Sequence, residues 1–245
     1  MKKAFVETTN VERFRSALAA VEQRGAPEAS WLLVSGDPAL GKSTTVKQWA
    51  TRNRAVYLRA KELWTPGFFI RDLAAELGED DEGSLKSVFG RVIARIGHTQ
   101  ATIVIDEVQH CLRNCAAVLE ELRDITDTTE TMAVLVTGVE QVQSRIGKHA
   151  QISSRIARVV DFRPASVEDI GLMCAQLCDV TVGADAVALI HQEAQGRMRQ
   201  TMNALVAIEA IARRNKLSAV TAADLKGVAL VQDWRVKRPA SKEAA

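Results

Sequence analysis

Five short apolar runs recur along the first two thirds of the chain: Trp31-Leu32-Leu33-Val34, Ala55-Val56-Tyr57-Leu58, Ala101-Thr102-Ile103-Val104-Ile105, Met132-Ala133-Val134-Leu135-Val136-Thr137 and Val159-Val160-Asp161-Phe162. In the third and fourth the apolar residues are consecutive instead of alternating, so a strand built from each has both faces covered, which predicts a parallel sheet between helices. The intervening segments have helical spacing. Residues 10–24 place Val11, Phe14, Leu18 and Val21 on one face after a potential cap at Asn10. Thr65-Pro66-Gly67 opens a second helix carrying Phe68, Phe69, Leu73 and Leu77. Ser84 caps a third, in which Leu85, Val88, Phe89, Val92, Ile93 and Ile96 share a face before Gly97 ends it. Asn114 is expected to cap a helix reaching Ile125, and a short helix spans 140–146. Strands alternating with helices predict a doubly wound α/β domain over residues 1–165.

Past Pro164 the strand signal stops. Helical stretches at 167–178, 184–195, 198–215 and 222–231, the last capped by Thr221, predict a small all-helical domain over 166–231, of the size of a lid. Residues 232–245 form a basic tail with little apolar sequence to pack, and mobility is expected there.

The chain has 245 residues, enough for one α/β domain with a smaller appended domain. Its net charge of +2 argues neither for nor against nucleic acid. Charge is unevenly spread, since residues 196–245 carry a local +6 and the first 195 a −4. No apolar run approaches the roughly 18 residues of a membrane span, and Met1-Lys2-Lys3 leads into polar sequence, so a cytoplasmic protein without a membrane partner is expected. The cysteines Cys111, Cys115, Cys174 and Cys178 form two C-x-x-x-C pairs. Four thiolates could bind zinc, but this spacing and the apolar neighbours fit buried reduced thiols better.

Chemistry concentrates at Gly36-Asp37-Pro38-Ala39-Leu40-Gly41-Lys42-Ser43-Thr44, between the first predicted strand and the helix that follows. G-x-x-x-x-G-K-[ST] in that setting is the phosphate loop, whose backbone N–H groups and helix start converge on one anion. Lys42 is placed to reach the β and γ phosphates of ATP, and the Ser43 hydroxyl to hold Mg²⁺. Asp106 and Glu107 end a predicted strand at the sheet edge where ligands bind, Asp106 suited to Mg²⁺ through water and Glu107 to orienting the attacking water. A small-molecule kinase would use the same loop, but the Val104-Ile105-Asp106-Glu107 strand end and the helical end of the chain speak against it. A non-hydrolysing nucleotide switch is separated by steady phosphate release.

These motifs resemble the AAA+ ATPases over roughly residues 10–230. Gly36–Thr44 looks like Walker A, and Thr102-Ile103-Val104-Ile105-Asp106-Glu107 like Walker B with the catalytic glutamate. Thr137 matches the sensor 1 position. Arg155, in Ser153-Ser154-Arg155, resembles the arginine finger, with Arg158 as the fallback. Gly196-Arg197-Met198-Arg199 resembles sensor 2, Arg199 being the better match and Arg197 the alternative. Ala39 stands where many such loops carry glycine. A finger arginine at a subunit edge serves the neighbour's nucleotide, so the resemblance implies a homo-oligomer, ring or helical filament, whose hydrolysis depends on assembly.

The blocks Phe5-Val6-Glu7-Thr8-Thr9-Asn10-Val11-Glu12-Arg13-Phe14 and Val104-Ile105-Asp106-Glu107-Val108-Gln109-His110-Cys111-Leu112 are similar to the transposition protein B family of Mu-type phages and their transposon relatives. That resemblance implies an ATP-bound oligomer on double-stranded DNA, with little sequence preference, that selects a target and stimulates a partner transposase. Helicase loaders and secretion ATPases of the ExeA type are the alternative. Candidate DNA contacts are Lys61, Arg91 and Arg95, with Arg235, Lys237 and Arg238 in the tail, while Trp64 fits the core better than base stacking.

Overall fold

The computed structural model describes residues 1–231. They form two compact units, one of Thr9–Arg163 and one combining Met1–Thr8 with the described residues from Pro164 onward. The first eight residues thus belong to the helical unit, although the sequence pattern joined them to the α/β domain. Arg235, Lys237 and Arg238 lie outside the described residues.

The α/β unit holds strands β1 (Trp31–Ser35), β2 (Val56–Arg59), β3 (Ile103–Asp106), β4 (Ala133–Val136) and β5 (Ile156–Asp161), in the spatial order β2-β3-β4-β1-β5 with every pairing parallel. Consecutive residues point to opposite faces. Trp31, Leu33, Leu58, Ile103, Ile105 and Leu135 enter one core with helices α3 (Pro66–Glu76), α4 (Leu85–Thr99) and α5 (Ala117–Thr129). Leu32, Val34, Val104, Val134, Val136 and Val160 enter the other with α1 (Thr9–Glu22) and α2 (Lys42–Asn53). Both faces of β1, β3 and β4 are covered, which is why they read as apolar runs, whereas edge strand β5 leaves Val159 half exposed. Short helices α6 (Val142–Ile146) and α7 (Ala150–Ser153) connect β4 to β5.

Helix ends follow local chemistry at Thr65 and Ser84 but depart from expectation at Gly97, at Asn114 and at Asn10, which lies inside α1 with its amide paired to the Arg163 backbone. Thr65 accepts a hydrogen bond from the Phe68 N–H with Pro66 at the first helical position, and Ser84 accepts from the Ser87 N–H. Gly97, in contrast, lies inside α4, which ends at Gln100 in the left-handed conformation. Asn114 does not cap α5: Asn114, Cys115 and Ala116 all have positive φ (48°, 57° and 61°), so the helix starts only at Ala117. As a result Cys111 and Cys115 share no helix. Cys115 is exposed, contrary to the expectation of burial, while Cys111 is buried with its thiol pushed up to about 12 by desolvation.

In the second unit, α8 (Val167–Leu177), α9 (Ala184–Ala194) and α10 (Met198–Asn215) enclose a core of Ile170, Ile190, Leu205 and Ile208, with Val6 against it. This unit is not purely helical, because β6 (Thr181–Val182) pairs in parallel with β7 (Ala219–Val220). The helix expected over 222–231 is a single 3₁₀ turn at Ala222–Leu225, followed by Gly227 with φ 80°. Gly196 is needed for packing: its φ is 64° and a Cβ would lie 2.6 Å from the Ala165 carbonyl oxygen. Among the described residues no helix is long and apolar enough to cross a membrane.

Candidate nucleotide site

The parallel register brings the ends of the strands to one edge. Arg59 of β2 lies opposite Asp106 of β3, Asp106 opposite Val136 of β4, and Ser35 of β1 opposite Asp161 of β5. The loop 36–41 leaves β1 at this edge in a conformation that needs left-handed residues, with φ of 127° at Gly36, 69° at Ala39 and 89° at Gly41. At Gly36 no other residue fits, since a Cβ would stand 2.5 Å from the Phe162 carbonyl oxygen. Ala39 accepts the same backbone region at a cost of about 1 kcal/mol.

Gly41 caps α2 without a side-chain oxygen, so the first-turn N–H groups of that helix keep no acceptor from the cap. A helix start with free donors and a positive dipole end is an anion site. Lys42, buried at the first position, points its Nζ back along the loop and donates to the carbonyls of Gly36 (2.7 Å) and Asp37 (2.6 Å). Desolvation lowers its pKa, opposed by Asp106, Asp37, Glu107 and Asp161. Ser43 and Thr44, next on α2, are exposed.

The carboxylates are held by different partners. Asp106 is buried and accepts one donor at each oxygen: the Glu107 N–H at Oδ1 (2.9 Å) and the Tyr57 hydroxyl at Oδ2 (2.6 Å). Glu107 has φ 58°, in the left-handed region, which turns the chain sharply as it leaves β3. Its Oε1 accepts from Arg59 (3.1 Å) and its Oε2 from the Gln109 amide. Gln109 in turn accepts from the buried Thr137 hydroxyl (3.2 Å), so Arg59, Glu107, Gln109 and Thr137 form one chain of bonds. The structure therefore brings together Gly36 to Thr44, Asp106, Glu107 and Thr137. Tyr57 and Arg59 join them unforeseen, and Gln109 stood out only within the resemblance.

Arg155 and Arg158 lie elsewhere in the α/β unit. Arg155 precedes β5 at the opposite edge of the sheet and makes a bidentate pair with Asp127 of α5 (2.9 and 2.6 Å), which raises its pKa. Arg158 is exposed on edge strand β5. Arg197 caps α10 and Arg199 is exposed in its first turn, both in the helical unit.

Among the described residues the three candidate DNA contacts, Lys61, Arg91 and Arg95, are all paired. Lys61 bonds Asp72 (2.6 Å), which also accepts from the indole of the buried Trp64 (2.7 Å). Arg91 donates to the carbonyls of Asp80 (2.8 Å) and Glu82 (2.6 Å), and Arg95 pairs with Glu79 (3.6 Å). The acidic run 79–82 is an irregular loop, exposed at Asp80, Asp81 and Glu82, that these arginines hold in place, with Arg71 donating to the carbonyls of Asp81 and Gly83.

A family model described as "AAA domain" matches residues 27–146, a span that holds the loop, both carboxylates and Thr137. The chain contains an AAA domain. Solved structures share its fold. ORC2 of Aeropyrum pernix with ADPNP and ADP has a TM-score of 0.71 at 13% identity, over 92% of this chain and 68% of that one. ORC1 of the same organism in complex with DNA has a TM-score of 0.62 at 18% identity, over 90% of this chain. The alignment spans 64% of the ORC1 chain, just under two thirds. Domain III of the Thermotoga maritima replication initiation protein DnaA has a TM-score of 0.56 at 15% identity, over 90% and 92% of the two chains. No curated protein matches the sequence. At these identities the likeness establishes the AAA+ fold, a five-stranded parallel sheet between helices.

Proposed function

We propose that this chain is an ATPase that binds ATP with Mg²⁺, assembles with further copies on double-stranded DNA, and hydrolyses ATP to ADP and phosphate. One observation carries the proposal: a left-handed loop ending in buried Lys42 shares a sheet edge with Asp106 and Glu107. Free first-turn donors of α2 and the Lys42 ammonium bind the phosphates. Ser43 and Asp106 are the oxygens that would hold Mg²⁺, which supplies charge neutralisation at the β and γ phosphates. Glu107 orients the water for in-line attack, and Gln109 with Thr137 fixes its direction. Arg155 serves the nucleotide of an adjoining copy, and Arg199 of the helical lid is the sensor on its own. Copies add through a ring or a helical filament.

The DNA partner is supported by the fold shared with an ORC1 whose structure contains DNA. Target selection and stimulation of a partner transposase rest on the similarity of residues 5–14 and 104–112 to the transposition protein B family. A helicase loader is the second reading, favoured by the fold shared with the replication initiation protein DnaA. Both are tested by phosphate release against protein concentration, with no DNA, with duplex and with single strands. Transposition requires stimulation by duplex, whereas a loader responds to single strands or a helicase. Lys42→Ala is expected to abolish nucleotide binding and assembly, while Glu107→Gln binds ATP and stays on DNA. Unchanged DNA residence of Glu107→Gln refutes the coupling.

A further inference from the structure

Tyr57 is half-buried in the middle of β2, opposite Val104, and is the only tyrosine in the chain. That register sets its side chain on the same face as Asp106, one diagonal step further along β3. Its ring packs against the core of Leu32, Val34 and Val104, and the Lys47 ammonium lies 5.9 Å from the ring centroid. The phenol therefore has little freedom, and its hydroxyl ends 2.6 Å from Asp106 Oδ2. Burial first, and the bond to Asp106 second, push the Tyr57 pKa upward, so the hydroxyl remains a donor.

The consequence concerns the direction of the Asp106 lone pairs. The Glu107 N–H holds Oδ1 (2.9 Å), but a single backbone donor leaves the carboxylate free to turn about its own axis. A second donor at Oδ2 fixes the plane. Each oxygen then keeps acceptor capacity in one defined direction. We propose that Tyr57 is a positioning residue, which orients Asp106 so that its remaining lone pairs meet the water shell of a Mg²⁺–nucleotide. This rests on the nucleotide reading of the site and adds to it the residue that sets its metal dependence.

Tyr57→Phe removes only the hydroxyl. The test is binding of a fluorescent ATP analogue to the full chain, with EDTA and across a Mg²⁺ titration. Affinity in EDTA should stay within about twofold, whereas the gain in affinity from Mg²⁺ should fall about tenfold, the size of one lost charge-assisted hydrogen bond. Thermal melting without nucleotide accompanies it, because a merely structural tyrosine would shift melting and leave the Mg²⁺ gain intact. In an Asp106→Asn background, adding Tyr57→Phe should change the Mg²⁺ gain by less than about twofold if the tyrosine acts through that carboxylate. A wild-type Mg²⁺ gain in Tyr57→Phe, or independent losses in the double variant, overturns the proposal. A wild-type chain that binds no analogue in either condition overturns the nucleotide reading itself.

Discussion

Arg155 cannot reach a neighbouring copy's nucleotide while its guanidinium is forked onto Asp127, so weakening that pair should make assembly easier. The pair is bidentate, at 2.9 and 2.6 Å, with side chains 21% and 32% exposed. Exposed ion pairs contribute up to about 1 kcal/mol, and two short parallel bonds with limited exposure put this one at the upper end. Asp127→Asn keeps the shape but loses the charge and one acceptor. If assembly needs the released arginine, about 1 kcal/mol less to break favours it about fivefold. The assay is phosphate release per protomer against protein concentration. Asp127→Asn should move the midpoint to about fivefold lower concentration with the same plateau, and the shift should shrink with added salt. Arg155→Ala should lower the plateau by about 10³, as loss of a trans-acting arginine does. An unmoved midpoint for Asp127→Asn, together with an Arg155→Ala variant that melts earlier but keeps its plateau, would refute the trans-acting assignment.

Other outcomes follow from the same edge of the sheet. Arg59 is 72% exposed and draws on Glu107, so Arg59→Ala should raise basal phosphate release about threefold, the scale of an exposed ion pair; a fall in rate would mean that the arginine positions the glutamate for attack. Ala39→Gly should relieve the left-handed cost of about 1 kcal/mol against a glycine entropy penalty of about 0.7, a net gain of a few tenths of a kcal/mol visible as a small rise in melting temperature. Gly36→Ala, whose Cβ would meet the Phe162 carbonyl, should cost about 3 kcal/mol and remove binding of a fluorescent ATP analogue. Unchanged melting for Gly36→Ala would contradict the loop geometry.

What was legible in the sequence depended on whether a signal was local. A strand covered on both faces is apolar at every position, so β1, β3 and β4 stood out, and the phosphate loop is contiguous, so Lys42 needed no tertiary information. Tyr57 and Arg59 were invisible for the opposite reason. They meet Asp106 and Glu107 only because β2 lies beside β3 in register, and strand order is not written in any one segment. Two-residue strands such as β6 and β7 are too short to show alternation, and the three left-handed residues 114–116 sit where Asn114 alone suggests a cap. The basic residues carry the most general lesson. Lys61, Arg91 and Arg95 look like phosphate contacts by charge, yet Asp72 and the 79–82 segment satisfy them within the chain. The acidic run shortly before the Ser84 cap was the available signal, because four acids in a row beside a helix with arginines on its polar side attract them. A DNA phosphate must displace those partners before it gains anything, so single substitutions at these three positions should weaken DNA binding less than the count of positive charges implies.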